Sequence, residues 1–224
     1  MTPGREVCPL CSIFFVELFR HLPPLCFDFA LAKRPKVVVY TDASFSASRN
    51  GLGVVLIDDA CQRRFYASGT CPPWLIQSWG ERRVANPRPC PADKARRVSH
   101  IAALELLALL SAVLTFGAQF LRGREIVFFL DNTSAMSAAV HGYARSPDLA
   151  DISNALHLAL AGLTCSAWFE WVPSAANCAD VPSRPEDADA LAFYLAARLA
   201  PWPAGLRLPS LHELRHPSMF MACE

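Results

Sequence analysis

The stretch Lys36-Val37-Val38-Val39-Tyr40-Thr41-Asp42-Ala43-Ser44 decides the reading of this chain. Its β-branched and aromatic run predicts a central strand, and that strand ends on a carboxylate. Downstream, Asn50-Gly51 is a hairpin-turn signal. Leu52 to Ile57 predicts a second strand and Arg63 to Ser68 a third, closed by Gly69. The chain therefore opens as a three-stranded antiparallel meander. Residues 71–97 hold five prolines, two tryptophans and many arginines, which predicts a long loop. A Leu- and Ala-rich helix follows over 98–116. The run up to Leu130 from Glu125 predicts another buried strand. Asp131-Asn132-Thr133-Ser134 starts a short helix to about His141. Ser146-Pro147-Asp148 starts a second helix to about Leu163, and Ala167 to Val172 forms the fifth strand. Pro182 and Pro185 bracket a turn before a last helix, Glu186 to Leu199. The fourth and fifth strands arrive by helical crossovers, so each lies parallel to an earlier strand. The expected fold is α/β: a five-stranded mixed sheet with helices on both faces.

Around that block, residues 1–35 read as a separate apolar segment without a clean period, 36–199 as the domain, and 200–224 as a proline-rich, loosely attached tail. A length of 224 residues with 53% hydrophobic composition excludes a disordered chain. The net charge is 21 − 20 = +1, so any nucleic-acid binding must come from a local patch rather than a global field. No segment is expected to span a membrane: Val7 to Ala32 is interrupted by Glu17, Arg20, His21, Asp28 and two adjacent prolines. It also lacks the basic start and cleavage site of a signal peptide. The cysteines at 8, 11, 26, 61, 71, 90, 165, 178 and 223 are odd in number and scattered. They read as reduced residues of an intracellular protein, cytoplasmic or nuclear and not secreted.

Four carboxylates stand out. Asp42 and Asp131 each end an apolar strand, where α/β sites are commonly built. A helix N-cap is the plainer role for Asp131, but Asn132, Thr133 or Ser134 can fill it. Glu105 has Ile101, Ala102, Ala108 and Leu109 as its helical neighbours, so it points from a buried stripe. A lone buried carboxylate costs several kcal/mol or stays protonated, so it calls for an arginine, a lysine or a metal. Asp180 follows the fifth strand, with a cap or turn as its plainer role. Four such acids at one sheet end repel unless hard divalent cations sit among them. Mg²⁺ suits a partly hydrated oxygen site.

These residues resemble the ribonuclease H domain of retroelement reverse transcriptases. The resemblance is carried by Tyr40-Thr41-Asp42-Ala43-Ser44, the helix from His100 to Ala108 around Glu105, Phe129-Leu130-Asp131-Asn132-Thr133-Ser134-Ala135, and Trp171-Val172-Pro173-Ser174 leading to Asn177-Cys178-Ala179-Asp180-Val181-Pro182-Ser183-Arg184. The last segment is similar to an ending seen in DIRS-like and related eukaryotic retroelements. The resemblance covers roughly residues 36–198. It implies cleavage of the RNA strand of RNA–DNA hybrids, giving a 3′ hydroxyl and a 5′ phosphate. It also implies two Mg²⁺ ions, with Mn²⁺ able to substitute, held by Asp42, Glu105, Asp131 and Asp180. Asp42 would be shared by both ions. Ser44, Asn132, Ser134, Asn177 and Arg184 are nucleic-acid-contact candidates on the same motifs.

The chain departs from the family in two places. Residues 173–179 carry no histidine, where many cellular members place a mobile one. Between 142 and 165 the only cation is Arg145, so the basic helix some members use to grip the hybrid is missing. Arg82, Arg83, Arg88, Lys94, Arg96 and Arg97, set against Glu81 and Asp93, give 6 − 2 = +4 and a candidate replacement clamp, with Trp74 or Trp79 stacking. A solvated loop is the plainer reading of that segment. A polymerase palm does not fit in the leading 35 residues, so the chain reads as a fragment or lone domain whose partner is an upstream reverse transcriptase. Cys8, Cys11, His21 and Cys26 could supply four zinc ligands, but the apolar run between them reads as core. Ser44, Ser134 and Ser174 form no triad with a histidine. Two other functions compete with an active hybrid nuclease. One is a decayed or co-opted domain that binds nucleic acid or protein without cleaving; the other is an exonuclease or integrase-like enzyme of the same superfold.

Overall fold

The structure is a computed structural model, described over residues 36–45, 49–85 and 100–221. Strands β1 (Lys36–Phe45), β2 (Asn50–Asp58) and β3 (Arg63–Thr70) form the expected meander, with Thr41 opposite Val54 and Asp42 opposite Gly53. Strand β4 (Glu125–Leu130) runs parallel to β1, and β5 (Ser166–Trp171) parallel to β4. A two-residue strand β6 (Ala200–Pro201) pairs with β3 at the far edge. The sheet thus has six strands rather than five, in the order β5-β4-β1-β2-β3-β6. With helices on both faces, this is the expected mixed α/β arrangement.

The pleat of the strands sorts the core into two layers. Val37, Val39, Thr41 and Ala43 of β1 are buried on one face with Leu56, Val54 and Leu52 of β2, which stand opposite Val39, Thr41 and Ala43. Helices α2 (Ile101–Phe116), α3 (Thr133–His141) and α4 (Pro147–Gly162) supply the rest of that layer through residues such as Leu107, Ala135 and Leu156. The opposite face carries Tyr40, Val55 and Tyr66, packed against Ala179, Ala190 and Tyr194 from the segment that follows β5. Tyr66 and Tyr194 stack with ring centroids 3.6 Å apart.

Several sequence expectations change. Asn50-Gly51 is not the hairpin turn: both residues pair within β2, opposite Phe45 and Ser44. Part of the expected long loop is helix α1 (Pro73–Ala85). Proline opens it at a position where no helical N–H is lost, and Leu75 and Trp79, four apart, are buried together. The density of prolines and arginines hid that spacing. The expected last helix is shorter, α6 (Ala190–Ala196), because residues from Arg184 to Ala190 close as successive turns. A four-residue helix, α5 (Asp180–Ser183), precedes them. The tail is not loose: Trp202 meets Phe65, Phe116 and Phe120 edge to face, and Leu214 and Phe220 are buried in the main core.

The helix through Ile101–Leu121 spans 21 residues and is long and apolar enough to cross a membrane by length and composition. Most of it is buried inside the domain, which assigns those apolar residues to the core. The segment 1–35, with its candidate zinc ligands, and residues 86–99, with Arg88, Lys94, Arg96 and Arg97, lie outside the described residues; the side chains of Arg82 and Arg83 do too.

Candidate metal centre

The β1–β4 pairing ends at Tyr40 and Phe129. Asp42 and Asp131 each stand two positions beyond that last pair. Asp131 follows the end of β4, whereas β1 runs on past Asp42 to Phe45 through its pairing with β2, so Asp42 does not end its strand as expected. Glu105 comes from α2, which packs over β1. One carboxylate oxygen from each of Asp42, Glu105 and Asp131 lies within 4.8 Å of the other two. The sequence-level inference that Glu105 faces inward holds: it and Asp42 are each 3% exposed. Asp42 Oδ2 and Glu105 Oε2 are buried with no hydrogen-bond partner. Among the described residues no lysine or arginine pairs with Glu105.

Such an arrangement strains the charged forms. Burial pushes the Asp42 carboxyl up to about 6, with Asp131 and Asp180 adding to the rise. The Ser183 hydroxyl, whose own hydrogen bond goes to the Asp180 carbonyl at 2.8 Å, and the Arg184 guanidinium offset part of it. Burial pushes Glu105 to about 10, reinforced by Asp42, Asp131 and Asp180 and eased by a backbone hydrogen bond to Ala43. Two orphaned carboxylate oxygens and a third acid within reach make an all-oxygen donor set. That set fits a hard divalent cation better than any side chain present.

Asp180 is not in the tight trio. Its charge acts on both Asp42 and Glu105, while its carboxylate accepts a hydrogen bond from Arg184 Nη1 at 2.7 Å. Its position is set by the sheet. Gly51 and Gly53 share a face with Asp42, and a Cβ at either would collide with the backbone of α5: at Gly51 with Ser183 O, at Gly53 with Ala179 O and Ser183 N. The missing side chains let α5 lie directly on β2. Ser44 Oγ donates to Ser183 O at 2.8 Å, and Asn177 Nδ2 donates to Thr41 O at 3.0 Å, pinning the same segment to β1.

The remaining candidates fall as follows. Asn132 is the α3 N-cap: its Oδ1 accepts from the N–H groups of Ser134 and Ala135 at 3.0 Å each, which leaves Asp131 free of that task. Ser134 is exposed on α3. Ser44 spends its hydrogen bond on backbone, Asn177 Nδ2 also reaches Asp42 Oδ1 at 3.4 Å, and Arg184 spends one bond on Asp180. Trp171, half exposed and read in the sequence only as part of a motif, donates its indole N–H to the Asp131 carbonyl at 3.1 Å, a support for the site that the sequence reading did not assign to it. An open groove of about 400 Å³ runs along α3 from Thr133, past Ser134, Ser137 and His141, to Tyr143 and Arg145.

No protein-family model matches this chain, and neither does any curated protein. Solved structures do. The N-terminal RNase H domain of a Mycobacterium tuberculosis protein, studied as a fusion with maltose-binding protein, superposes with a TM-score of 0.40 at 19% identity, over 72% of this chain and 98% of that one. RNase H1 from the halophilic archaeon Halobacterium salinarum gives 0.41 at 16% identity, over 70% and 98%. An RNase H1 isolated from compost by a metagenomic approach gives 0.35 at 15%, over 66% and 92%. At these identities and TM-scores, the chemistry of this chain has to be read from its own residues.

Proposed function

We propose that this chain is a metal-dependent endoribonuclease that cuts the RNA strand of RNA–DNA hybrids, as the ribonuclease H domain of a retroelement reverse transcriptase. The observation that carries the reading is the meeting of Asp42, Glu105 and Asp131 oxygens within 4.8 Å, two of the acids being buried. Asp42, Glu105 and Asp131 would hold Mg²⁺, or Mn²⁺ in its place, with Asp180 completing the negative field. A divalent cation held there supplies a Lewis acid that polarises the scissile phosphate and the attacking water. In the hydrolysis, water adds to phosphorus, the P–O3′ bond breaks, and the products are a 3′ hydroxyl and a 5′ phosphate. Buried among apolar residues, Glu105 keeps a proton until a cation replaces it. Asn132, by capping α3, leaves the Asp131 carboxylate for that cation. The motif from Asn177 to Arg184, folded onto β1 and β2, supports the retroelement part of the reading.

The test is incubation of the purified chain with an end-labelled RNA–DNA hybrid and Mg²⁺ or Mn²⁺, with single-stranded RNA, duplex RNA and duplex DNA alongside. Cutting of the hybrid's RNA strand alone, abolished in Asp42→Asn, is the expected result. A folded protein that binds the hybrid but cuts nothing in either metal points instead to a domain that has kept binding and lost catalysis.

A further inference from the structure

We propose that His212 and His216 form a chelating site for a borderline divalent cation of the Zn²⁺ class, separate from the carboxylate centre. The segment reads Ser210-Leu211-His212-Glu213-Leu214-Arg215-His216, which contains the spacing H-E-x-x-H. On a helix that spacing brings two imidazoles to one face for zinc and offers the glutamate as a general base. This structure keeps the first feature and removes the second.

Helix α7 (Leu211–Arg215) carries the motif, and the His216 N–H donates to His212 O at 2.9 Å, so one helical turn separates the two residues. Their rings stand with centroids 4.6 Å apart, tilted by 43°. Both side chains are exposed, and neither ring holds a hydrogen bond or ion pair among the described residues. Glu213 is fully engaged elsewhere. Its Oε2 accepts from the Ser210 N–H at 2.7 Å and its Oε1 from Arg207 Nη2 at 2.7 Å, while Ser210 Oγ accepts from the Glu213 N–H at 3.1 Å. A carboxylate locked in a capping box and an ion pair is not available as a base. The motif is therefore a two-histidine chelate and not a hydrolytic site.

Imidazole nitrogen selects Zn²⁺, Ni²⁺ or Cu²⁺ over Mg²⁺, so this ion differs in kind from the one suited to Asp42, Glu105 and Asp131. With two protein ligands, water fills the other positions and the ion exchanges readily. Its effect follows from where the turn sits. Five residues are too few to hold a helix alone. Leu214, on the inner side, is buried in the main core, and Phe220 just beyond is buried with it. A cation bridging His212 and His216 fixes from outside the turn that Leu214 fixes from inside. It clamps the C-terminal segment onto the domain.

The experiment is imidazole ¹H–¹⁵N NMR on the full chain, titrated with Zn²⁺ in excess Mg²⁺. Two imidazole signals should move together, and each of His212→Gln and His216→Gln should abolish the paired shift. Amide exchange over residues 211–221 should slow on Zn²⁺ addition in the parent chain and not in either variant. Both histidines are exposed, so the variants should keep the parent's circular dichroism and melting temperature without metal. Zn²⁺ uptake unchanged by both substitutions, as capture by cysteines would give, overturns the proposal; so does movement of one imidazole alone.

Discussion

Asn177 Nδ2 donates to the carbonyl oxygen of Thr41 at 3.0 Å, joining residues 136 positions apart in the chain. The bond ties the segment carrying Asp180 to the strand carrying Asp42, and Asn177 Oδ1 accepts from the Ala179 N–H at 3.2 Å to hold the turn between them. Asn177 is 4% exposed, so water does not replace these bonds when the side chain is cut back. Asn177→Ala should cost about 1–3 kcal/mol and lower hybrid cleavage by letting Asp180 drift from the other acids. Urea unfolding checks the first part, through a lower midpoint at unchanged slope. A variant with parent stability and parent cleavage rate would show that the tether has no such role.

Gly53 makes a related prediction through shape. Its added Cβ would lie 2.8 Å from the Pro182 carbonyl carbon and collide with Ala179 O and Ser183 N. Those obstacles are backbone, which cannot swing aside as a side-chain tip can. Gly53→Ala should therefore lift α5 from β2 and destabilise the domain by about 1–3 kcal/mol. Gly80 is the control, since nothing lies within 4 Å of a Cβ there and its helix favours alanine. Thermal melts of both variants should move in opposite directions.

The contrast between these glycines shows what the sequence could reveal. Period and composition marked β1, β4 and α2, because each buries residues at a spacing that only one element satisfies. The inward position of Glu105 was legible from its four apolar helical neighbours alone. Close approaches left no such mark: Gly51-Leu52-Gly53 read as hairpin residues, although their role is to admit α5, which arrives from beyond residue 179. Helix α1 and the packed tail were hidden for another reason. Prolines dominate both stretches, and their anchors, Leu75, Trp79, Trp202, Leu214 and Phe220, are too sparse to set a period. Asp180 reads in sequence as an equal member of four acids, whereas the fold gives it an arginine partner one turn away.

The pH dependence of stability should have two limbs of opposite sign. Asp42 rises from 3.8 to about 6, and Glu105 from 4.5 to about 10. Between those limits the native state holds protons that the unfolded chain has released, so metal-free stability falls as pH climbs from about 4 toward 10. Asp58 runs the other way. Arg124 donates to its two oxygens at 2.5 and 2.8 Å and holds its carboxyl below the usual range, so that contribution is present at neutral pH and lost as pH falls through the lowered value. Melting temperatures in chelator should decline on the alkaline side, and Mg²⁺ should recover most where the decline is largest, because cation and proton compete for the same oxygens. Glu105→Gln should flatten that limb and remove most of the Mg²⁺ effect. An alkaline limb unchanged in Glu105→Gln would place its origin elsewhere.

Arg145 tests how substrate is gripped without a basic helix. It closes the groove that starts at Thr133, two residues beyond Asp131. Helix α3 has nine residues, so the helix along which the groove runs is about 14 Å long at 1.5 Å per residue. Hydroxyls of Thr133, Ser134 and Ser137, the His141 ring, Tyr143 and Arg145 line it, a mixture suited to a sugar–phosphate backbone with one stacked base. Arg145→Ala should weaken hybrid binding and reduce the salt slope of log K by about 1, since one phosphate contact is lost. Tyr143→Ala should cost about 1–3 kcal/mol of affinity with little change in that slope, because stacking releases no counterions. Both variants should cleave at the parent rate once hybrid is saturating, as neither side chain touches the carboxylates. Hybrid affinity that ignores both changes would move the grip to another surface of the domain.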